Sequence, residues 1–279
     1  MANTAFQIQY RQEFIAGFEQ SMSLLSSAMT REAVIKGNQA TFLVADSGAA
    51  TAVTRGVNGL IPARQDNLNQ YTATLQEWHD LVHRTSFNIF ASQGDGRRIM
   101  QSTTQKVLNR KMDFDILSSL SAATQNNGAA ATGSLALVMR AQTILGNAFV
   151  DITDEDNMFF VITPAFNAYL MQTKEYTSAD WVEVKPFVGP AKMYRRWAGF
   201  NWIIHPNLTG VGTSAEICYA FHRSAIGQAI NTGEMQLTVG YDEEQDYSFS
   251  RASAYFGSKI LQNTGIVKVT HDGSAYIAT

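Results

Sequence analysis

The stretch "GNQATFLVADSGAATAVTRGVNGLIPARQDNLNQYTATLQEW", residues 37–78, decides which architecture the rest of the chain can adopt. Its ends are rich in strand-forming residues, whereas its middle is mainly Gly, Ala, Asn and Thr, which cannot fill a hydrophobic core. No helical period occurs within it, and a structureless loop of about forty residues is unusual inside a compact domain. The segment therefore predicts a long two-armed β-hairpin that projects from the body, an extended loop that we place at residues 41–88.

The end of this hairpin, "LQEWHDLVHR" (residues 75–84), resembles a metal site. His79 and His83 lie four residues apart behind Glu77, and this spacing would place both imidazoles on one face of a helix. The bulky neighbours favour the extended return arm of the hairpin instead, where residues four apart are separated by about 13 Å. That separation is too large for one zinc ion, which binds nitrogen at about 2.0 Å. We therefore interpret both histidines as partly exposed side chains or as contacts for another molecule.

The segments on either side of the hairpin have helical periods. Residues 1–40 form a predicted N-terminal arm, in which an apolar stripe recurs at a spacing of three to four residues: Phe14, Phe18, Met22, Leu25 and Met29. Between roughly Ser92 and Leu120, a second stripe predicts a helix of about 24 to 30 residues within a segment that we place at residues 89–125.

The second half of the chain alternates between strand and helix patterns. "MFFVITP", "FNWIIHP" and "ICYAFHR" predict strands, Pro164 predicts a helix start, and "SAIGQAI" predicts a short helix. Residues 126–240 thus form a predicted α/β domain. Residues 241–279 are mostly extended and are predicted to pair beneath the long helix, which makes the fold class α+β.

Composition excludes several classes of protein. The chain has 279 residues, of which 45% are hydrophobic and 16% charged, with a net charge of −3. This balance argues against a strongly basic nucleic-acid binder, and the low charge content suggests a surface covered by neighbouring molecules. Cys218 is the only cysteine, so no intrachain disulfide can form. No secretory signal or membrane span is predicted, and no motif indicates a cofactor.

Two short motifs and one basic cluster have competing interpretations. "GVGTSA" (210–215) fails the dinucleotide-binding context and "DITDEDN" (151–157) fails the calcium-loop spacing, so both are interpreted as turns. The basic residues Arg97, Arg98, Lys106, Arg110 and Lys111 cluster on or near the long helix. They form either a solvated helix face or a surface for modest electrostatic contact with nucleic acid.

The order of these segments resembles that of the major capsid protein family of tailed bacteriophages. "FQIQYRQEFIAGFEQ" is similar to its N-terminal arm, the hairpin to its extended loop, and "RRIMQSTTQKVLNRKMDFDILSSL" to the long spine helix of its peripheral domain. "MFFVITPAFNAYLM" and "ICYAFHRSAIGQAI" resemble parts of its axial domain, and "ASAYFGSKILQNTGIVKV" resembles its last peripheral strands.

The resemblance implies a structural role in a virion capsid that assembles in the cytoplasm of a bacterial host. Many copies would form hexamers and pentamers of an icosahedral head shell around double-stranded DNA, with portal and decoration proteins as further partners and no membrane contact. Candidate residues for contact between subunits are Arg55, Arg64, His79, His83, Phe14 and Phe18. Because the chain begins directly with the arm, we expect a separate scaffolding protein, or none.

Some relatives cross-link their shells through a lysine on the extended loop, but residues 40–84 contain no lysine. We therefore expect non-covalent closure of the shell. Two alternatives stay open at this point. One is the shell protein of an encapsulin nanocompartment, which shares the architecture; the other is a soluble metal-dependent enzyme that uses Glu77, His79 and His83.

Overall fold

The computed structural model describes residues 22–31, 34–47, 50–64, 66–85, 96–177, 195–231 and 236–276. Four helices occur in these ranges: α1 (Gly96–Ser121), α2 (Leu135–Asn147), α3 (Pro164–Gln172) and α4 (Lys174–Thr177). Thirteen strands occur there: β1 (Val34–Lys36), β2 (Gln39–Asp46), β3 (Asn67–Thr74), β4 (Gln76–Thr85), β5 (Ala131–Thr132), β6 (Met158–Ile162), β7 (Arg195–Trp197), β8 (Phe200–Ile204), β9 (Glu216–His222), β10 (Ile226–Ile230), β11 (Gln236–Asp242), β12 (Tyr247–Ile260) and β13 (Ile266–Asp272).

The chain divides into two compact units. The larger unit contains residues 24–76, 113–230 and 256–279, and the smaller unit contains residues 1–23, 77–112 and 231–255. Both the long helix α1 and strand β12 contribute residues to each unit. In the described chain, no helix is long and apolar enough to cross a membrane.

A six-stranded mixed sheet forms the centre of the larger unit, with the strand order β5-β13-β9-β6-β8-β7. All five residues of β6 are buried, because strands pair with both of its edges and its side chains pack in one core cluster with helix residues such as Val138 and Phe166. Helix α3 begins after this strand, where the Thr163 hydroxyl accepts a hydrogen bond from the Phe166 amide and Pro164 fills the first helical position. The predicted strands and helix of this region are confirmed.

A three-stranded sheet, β1-β2-β3, lies in the same unit and contains the predicted hairpin. Strands β2 and β3 pair antiparallel over eight residues, from Gln39 opposite Thr74 to Asp46 opposite Asn67. The return arm therefore ends at Thr74, earlier than predicted. "LQEWHDLVHR" is extended, as predicted, but it belongs to β4, which pairs with β12 in the smaller unit.

Three predictions about local structure were wrong. "SAIGQAI" is not a helix, because Ile226–Ile230 pairs with the end of β12 and a short apolar run suits either structure. Strand β13 does not pair beneath the long helix; it pairs with β9 and β5 inside the six-stranded sheet. Alternation predicts a strand, but distant packing chooses its partner.

The third wrong prediction concerns the end of the N-terminal arm. Leu25 and Met29 are buried, as an apolar stripe requires, but the backbone there forms only a short 3-10 turn at Ser26–Ala28. The amides of Leu24 and Leu25 bind the carboxylate of Asp113 instead of helical carbonyl groups. Phe14 and Phe18 lie outside the described residues.

Candidate subunit-contact surface

A small cluster of buried apolar side chains packs at the base of the hairpin. Phe42, Ala73 and Leu75 are buried together with Ala40, Ala229 and Leu261. The Phe42 ring packs on Gly227, where an added Cβ would lie 2.6 Å from the ring. Glycine at position 227 therefore lets the Phe42 ring pack directly against strand β10 at the base of the hairpin.

The tip of the hairpin, residues 50–64, is apolar and exposed. The Gly56 amide donates to the Leu60 carbonyl at 3.0 Å, and the Gly59 amide donates to the Gly56 carbonyl at 2.9 Å. Gly59 has φ +72°, which glycine adopts without steric cost. The turn presents four apolar side chains to solvent with exposures of 61–107%: Val53, Val57, Leu60 and Ile61. A neighbouring molecule is needed to bury this surface.

The outer face of the two arms extends this apolar surface. Leu43 and Leu68 are each 78% exposed, and the register places Gln70 opposite Leu43 and Ala45 opposite Leu68. Residues directly opposite share a face, so the two leucines lie diagonally across one side of the hairpin. The opposite side carries the buried Phe42. The hairpin thus has one face for its own chain and one uncovered face.

The two arginines predicted to contact a neighbour differ in their surroundings. Arg55 is exposed and is the single charged residue between Ser47 and Ala63. Arg64 forms an ion pair with Asp66 of its own chain, with about half of each side chain exposed. An exposed pair of this kind contributes little to stability. Arg55 is therefore the stronger candidate for contact with an acidic surface.

His79 and His83 contact other residues of the smaller unit. His79 Nδ1 lies 2.8 Å from Ser253 Oγ, and its Nε2 lies 2.8 Å from Glu77 Oε1, which also accepts a hydrogen bond from the Tyr255 hydroxyl. The His83 ring stacks on Tyr247 with centroids 4.2 Å apart. No group of three metal-ligating residues occurs in the part of the chain that the structure describes. These contacts within the chain account for both histidines, and their contact with a neighbour stays a prediction.

The basic residues of α1 are only partly available. Lys106 and Arg110 are half-buried, and the Lys111 ammonium lies 3.9 Å from the centroid of the Trp78 ring. The ring face attracts this cation, so Lys111 already has an interaction within the smaller unit. The side chains of Arg97 and Arg98 lie outside the described part of the helix.

Sequence reasoning missed a buried carboxylate on helix α1. Asp113, 1% exposed, accepts hydrogen bonds from the amides of Leu24 at 3.1 Å and Leu25 at 3.3 Å, and lies 3.3 Å from His205 Nε2. The signal was present, because Asp113 shares a helix face with the buried Ile116 and Leu117. A carboxylate on an apolar helix face predicts a buried partner, which the sequence does not identify.

A second buried polar group lies in the six-stranded sheet. His271 Nε2 is 2.8 Å from both Glu216 Oε2 and Thr163 Oγ1, and all three residues are buried. Burial lowers the pKa of His271, although the Glu216 carboxylate acts in the opposite direction. The imidazole is therefore kept neutral in the folded protein more strongly than in the unfolded chain.

We expect this histidine to weaken the fold in acid. Folding lowers the pKa of His271. The contribution of the neutral imidazole to the free energy of unfolding is therefore complete above about pH 6.5. It is lost as the pH falls below that value, by at most about 1.4 kcal/mol per pH unit. Urea unfolding at pH 7.5, 6.5 and 5.5 should show a steeper loss for the natural chain than for His271→Gln. Parallel pH profiles would contradict this expectation.

The chain is similar to known proteins over nearly its whole length. A family model described as "Phage capsid protein" matches residues 2–273. No curated protein matches the chain. Among solved structures, a chain from the capsid of cyanophage P-SCSP1u has a TM-score of 0.69 at 11% identity, with 96% of this chain and 93% of that chain covered.

Two further phage structures have similar scores. A chain of the Ralstonia phage GP4 capsid has a TM-score of 0.64 at 14% identity and covers 97% of both chains. A chain from Mycobacterium phage Che8 has a TM-score of 0.64 at 16% identity, covering 92% of this chain and 97% of that chain. At these identities the likeness is one of fold, and it extends over both units.

Proposed function

Because this chain belongs to the phage capsid protein family, we propose that it is the major capsid protein of a tailed bacteriophage. Copies of it would assemble as hexamers and pentamers into the icosahedral shell that encloses double-stranded DNA. The family match over residues 2–273 carries the proposal. The exposed apolar tip of the hairpin supports it, since exposed apolar surface favours contact with another molecule.

The other two hypotheses are less well supported. The family match favours a virion shell over an encapsulin compartment. The metal-dependent enzyme gains no support from the family or from the fold, both of which are those of structural capsid proteins. Portal, scaffolding and decoration proteins, and assembly in the host cytoplasm, stay predictions from the resemblance.

Electron microscopy of the purified chain tests the proposal. Hollow particles of uniform size are the expected result, because copies of a shell protein make the same contacts with one another throughout the particle. Size-exclusion chromatography of the same sample should give a peak near the void volume. A chain that stays monomeric at high concentration, both alone and with its scaffolding and portal proteins, would contradict the proposal.

We expect the assembled shell to be closed without covalent bonds between subunits. Residues 40–84 contain no lysine, so the hairpin lacks the amine that an isopeptide bond to a neighbour requires. Purified particles boiled in detergent should run as a single band at the monomer mass of 30.7 kDa. A ladder of higher bands under reducing conditions would prove the expectation wrong.

Contact with the packaged DNA is the least specific part of the proposal. Lys106 and Arg110 would supply positive charge, and the sequence adds Arg97 and Arg98 at the start of the same helix. Binding through phosphates alone weakens with added salt and does not depend on sequence. The contribution of these residues would therefore be small and electrostatic.

A further inference from the structure

Phe149 has a backbone conformation that its side chain disfavours. It follows helix α2 with φ +60°, in the left-handed region that glycine and asparagine adopt most readily. Its amide donates to the Gly146 carbonyl at 3.1 Å, so this conformation ends the helix. The ring is 85% exposed, and burial within its own chain therefore does little to offset the strain. Strain combined with an exposed aromatic ring points to a binding role.

Phe149 lies on the edge of a groove in the larger unit. The groove has a volume of about 870 Å³, and its lining includes Val44 and Tyr71 of the hairpin base and Leu261 after β12. Asp46 and Asp151 are the acidic side chains of this lining. Hydrogen bonds from Thr153 lower the pKa of Asp151, so this carboxylate is negatively charged at neutral pH. The groove is therefore partly apolar with an acidic margin.

The hairpin tip is complementary to the groove in apolar character and in charge. It is a narrow turn that presents Val57 and Leu60 to solvent, and its charged side chain is the cation of Arg55. An apolar turn with one positive charge is complementary to an apolar groove with two carboxylates. Both surfaces are exposed in the single chain, and each would be buried by the other.

We propose that this groove receives the hairpin tip of a neighbouring copy of the chain. In that contact Phe149 packs against Val57 and Leu60, and Arg55 faces Asp46 and Asp151. The inference rests on the proposed function, because it assumes that copies assemble into a shell, and it adds the surface that each hairpin occupies. Burial of the Phe149 ring in the assembled state then offsets the strain of its backbone.

The variant Phe149→Asn separates assembly from stability. Asparagine tolerates the left-handed conformation, so the melting temperature of the unassembled subunit should rise by about 2 °C. The yield of particles should fall at least tenfold, because the aromatic contact is lost. The matched control is Met139→Asn, which removes an apolar side chain that is 45% exposed on α2 outside the groove. Unchanged particle yield in Phe149→Asn, or an equal loss in both variants, would overturn the inference.

Cysteine cross-linking between two chains identifies the occupant. Asn58→Cys and Ala148→Cys, which place a thiol at the tip and in the groove lining and keep Val57 and Phe149, are prepared separately and co-assembled, then oxidised. The natural Cys218 does not compete, since it is buried and burial raises its pKa to about 12. A disulfide-linked dimer is expected in the mixed particles and absent from particles of either variant alone.

The outcomes distinguish the inference from the function it rests on. Mixed particles without the dimer, or dimers in particles of Ala148→Cys alone, would overturn the groove assignment and leave the capsid function intact. Failure of the natural chain to form particles under every assembly condition would overturn the capsid function, and the groove assignment with it.

Discussion

Replacing Val57 and Leu60 together with aspartate is expected to abolish shell assembly while the subunit stays folded. Both side chains are exposed in the single chain, at 107% and 74%, so neither contributes to its core. In a shell they would be buried against a neighbour, where an ionised carboxylate loses its hydration without a matching partner. A tenfold loss of affinity at one contact between subunits corresponds to about 1.4 kcal/mol. The same loss occurs at every equivalent contact in the shell. Particle yield by microscopy and subunit folding by circular dichroism measure the two parts.

A control at neighbouring positions separates charge from lost apolar contact. Thr54→Asp with Asn58→Asp adds the same two charges to the same exposed turn but removes no large apolar side chain. We expect this double variant to reduce the yield far less. Normal particles from the Val57 and Leu60 variant would show that the hairpin tip is not a subunit contact.

Replacing Asp113 with alanine is expected to lower the free energy of unfolding by about 3 to 5 kcal/mol, because the change leaves two buried polar groups and one partly buried amide without this partner. Those groups are the amides of Leu24 and Leu25 and the Nε2 atom of His205. The Asn207 amide lies 3.2 Å from His205 Nδ1, in a geometry that donates to it, so Nε2 carries the proton that faces Asp113. Removal of the carboxylate leaves that proton buried and unpaired. Chemical denaturation of the unassembled subunit measures the loss.

Asp115 provides a matched control two residues further along α1. It is half-buried and accepts a hydrogen bond from the Ser258 hydroxyl at 2.6 Å. Its replacement by alanine should cost about 1 kcal/mol, which is typical for one hydrogen bond. If Asp113→Ala were no more damaging than Asp115→Ala, Asp113 would not anchor the segment that contains Leu24 and Leu25.

The candidate contact surface was predictable in part from the sequence. Two strand patterns separated by residues that cannot fill a core predicted the hairpin. The exposure of Val57 and Leu60 at its tip agrees with that prediction. The partners of individual side chains were not predictable. Arg64 pairs with Asp66, and His79 contacts Ser253, which is 174 residues away in the sequence. The sequence did not predict a role for Phe149, because the position of a residue after a helix does not reveal its backbone φ angle.

The sequence by itself determined those elements whose pattern within one segment fits a single kind of structure. A stripe of apolar residues specifies α1, a buried apolar run specifies β6, and a poor core composition specifies the hairpin tip. Only the tertiary structure decided the partners: β13 inside the six-stranded sheet, β4 beside β12, and Asp113 bound to Leu25 and His205. The last two contacts join residues 88 and 92 positions apart. A periodic pattern indicates which face of an element is buried. The packing energy of segments that are distant in the sequence decides which other element covers that face.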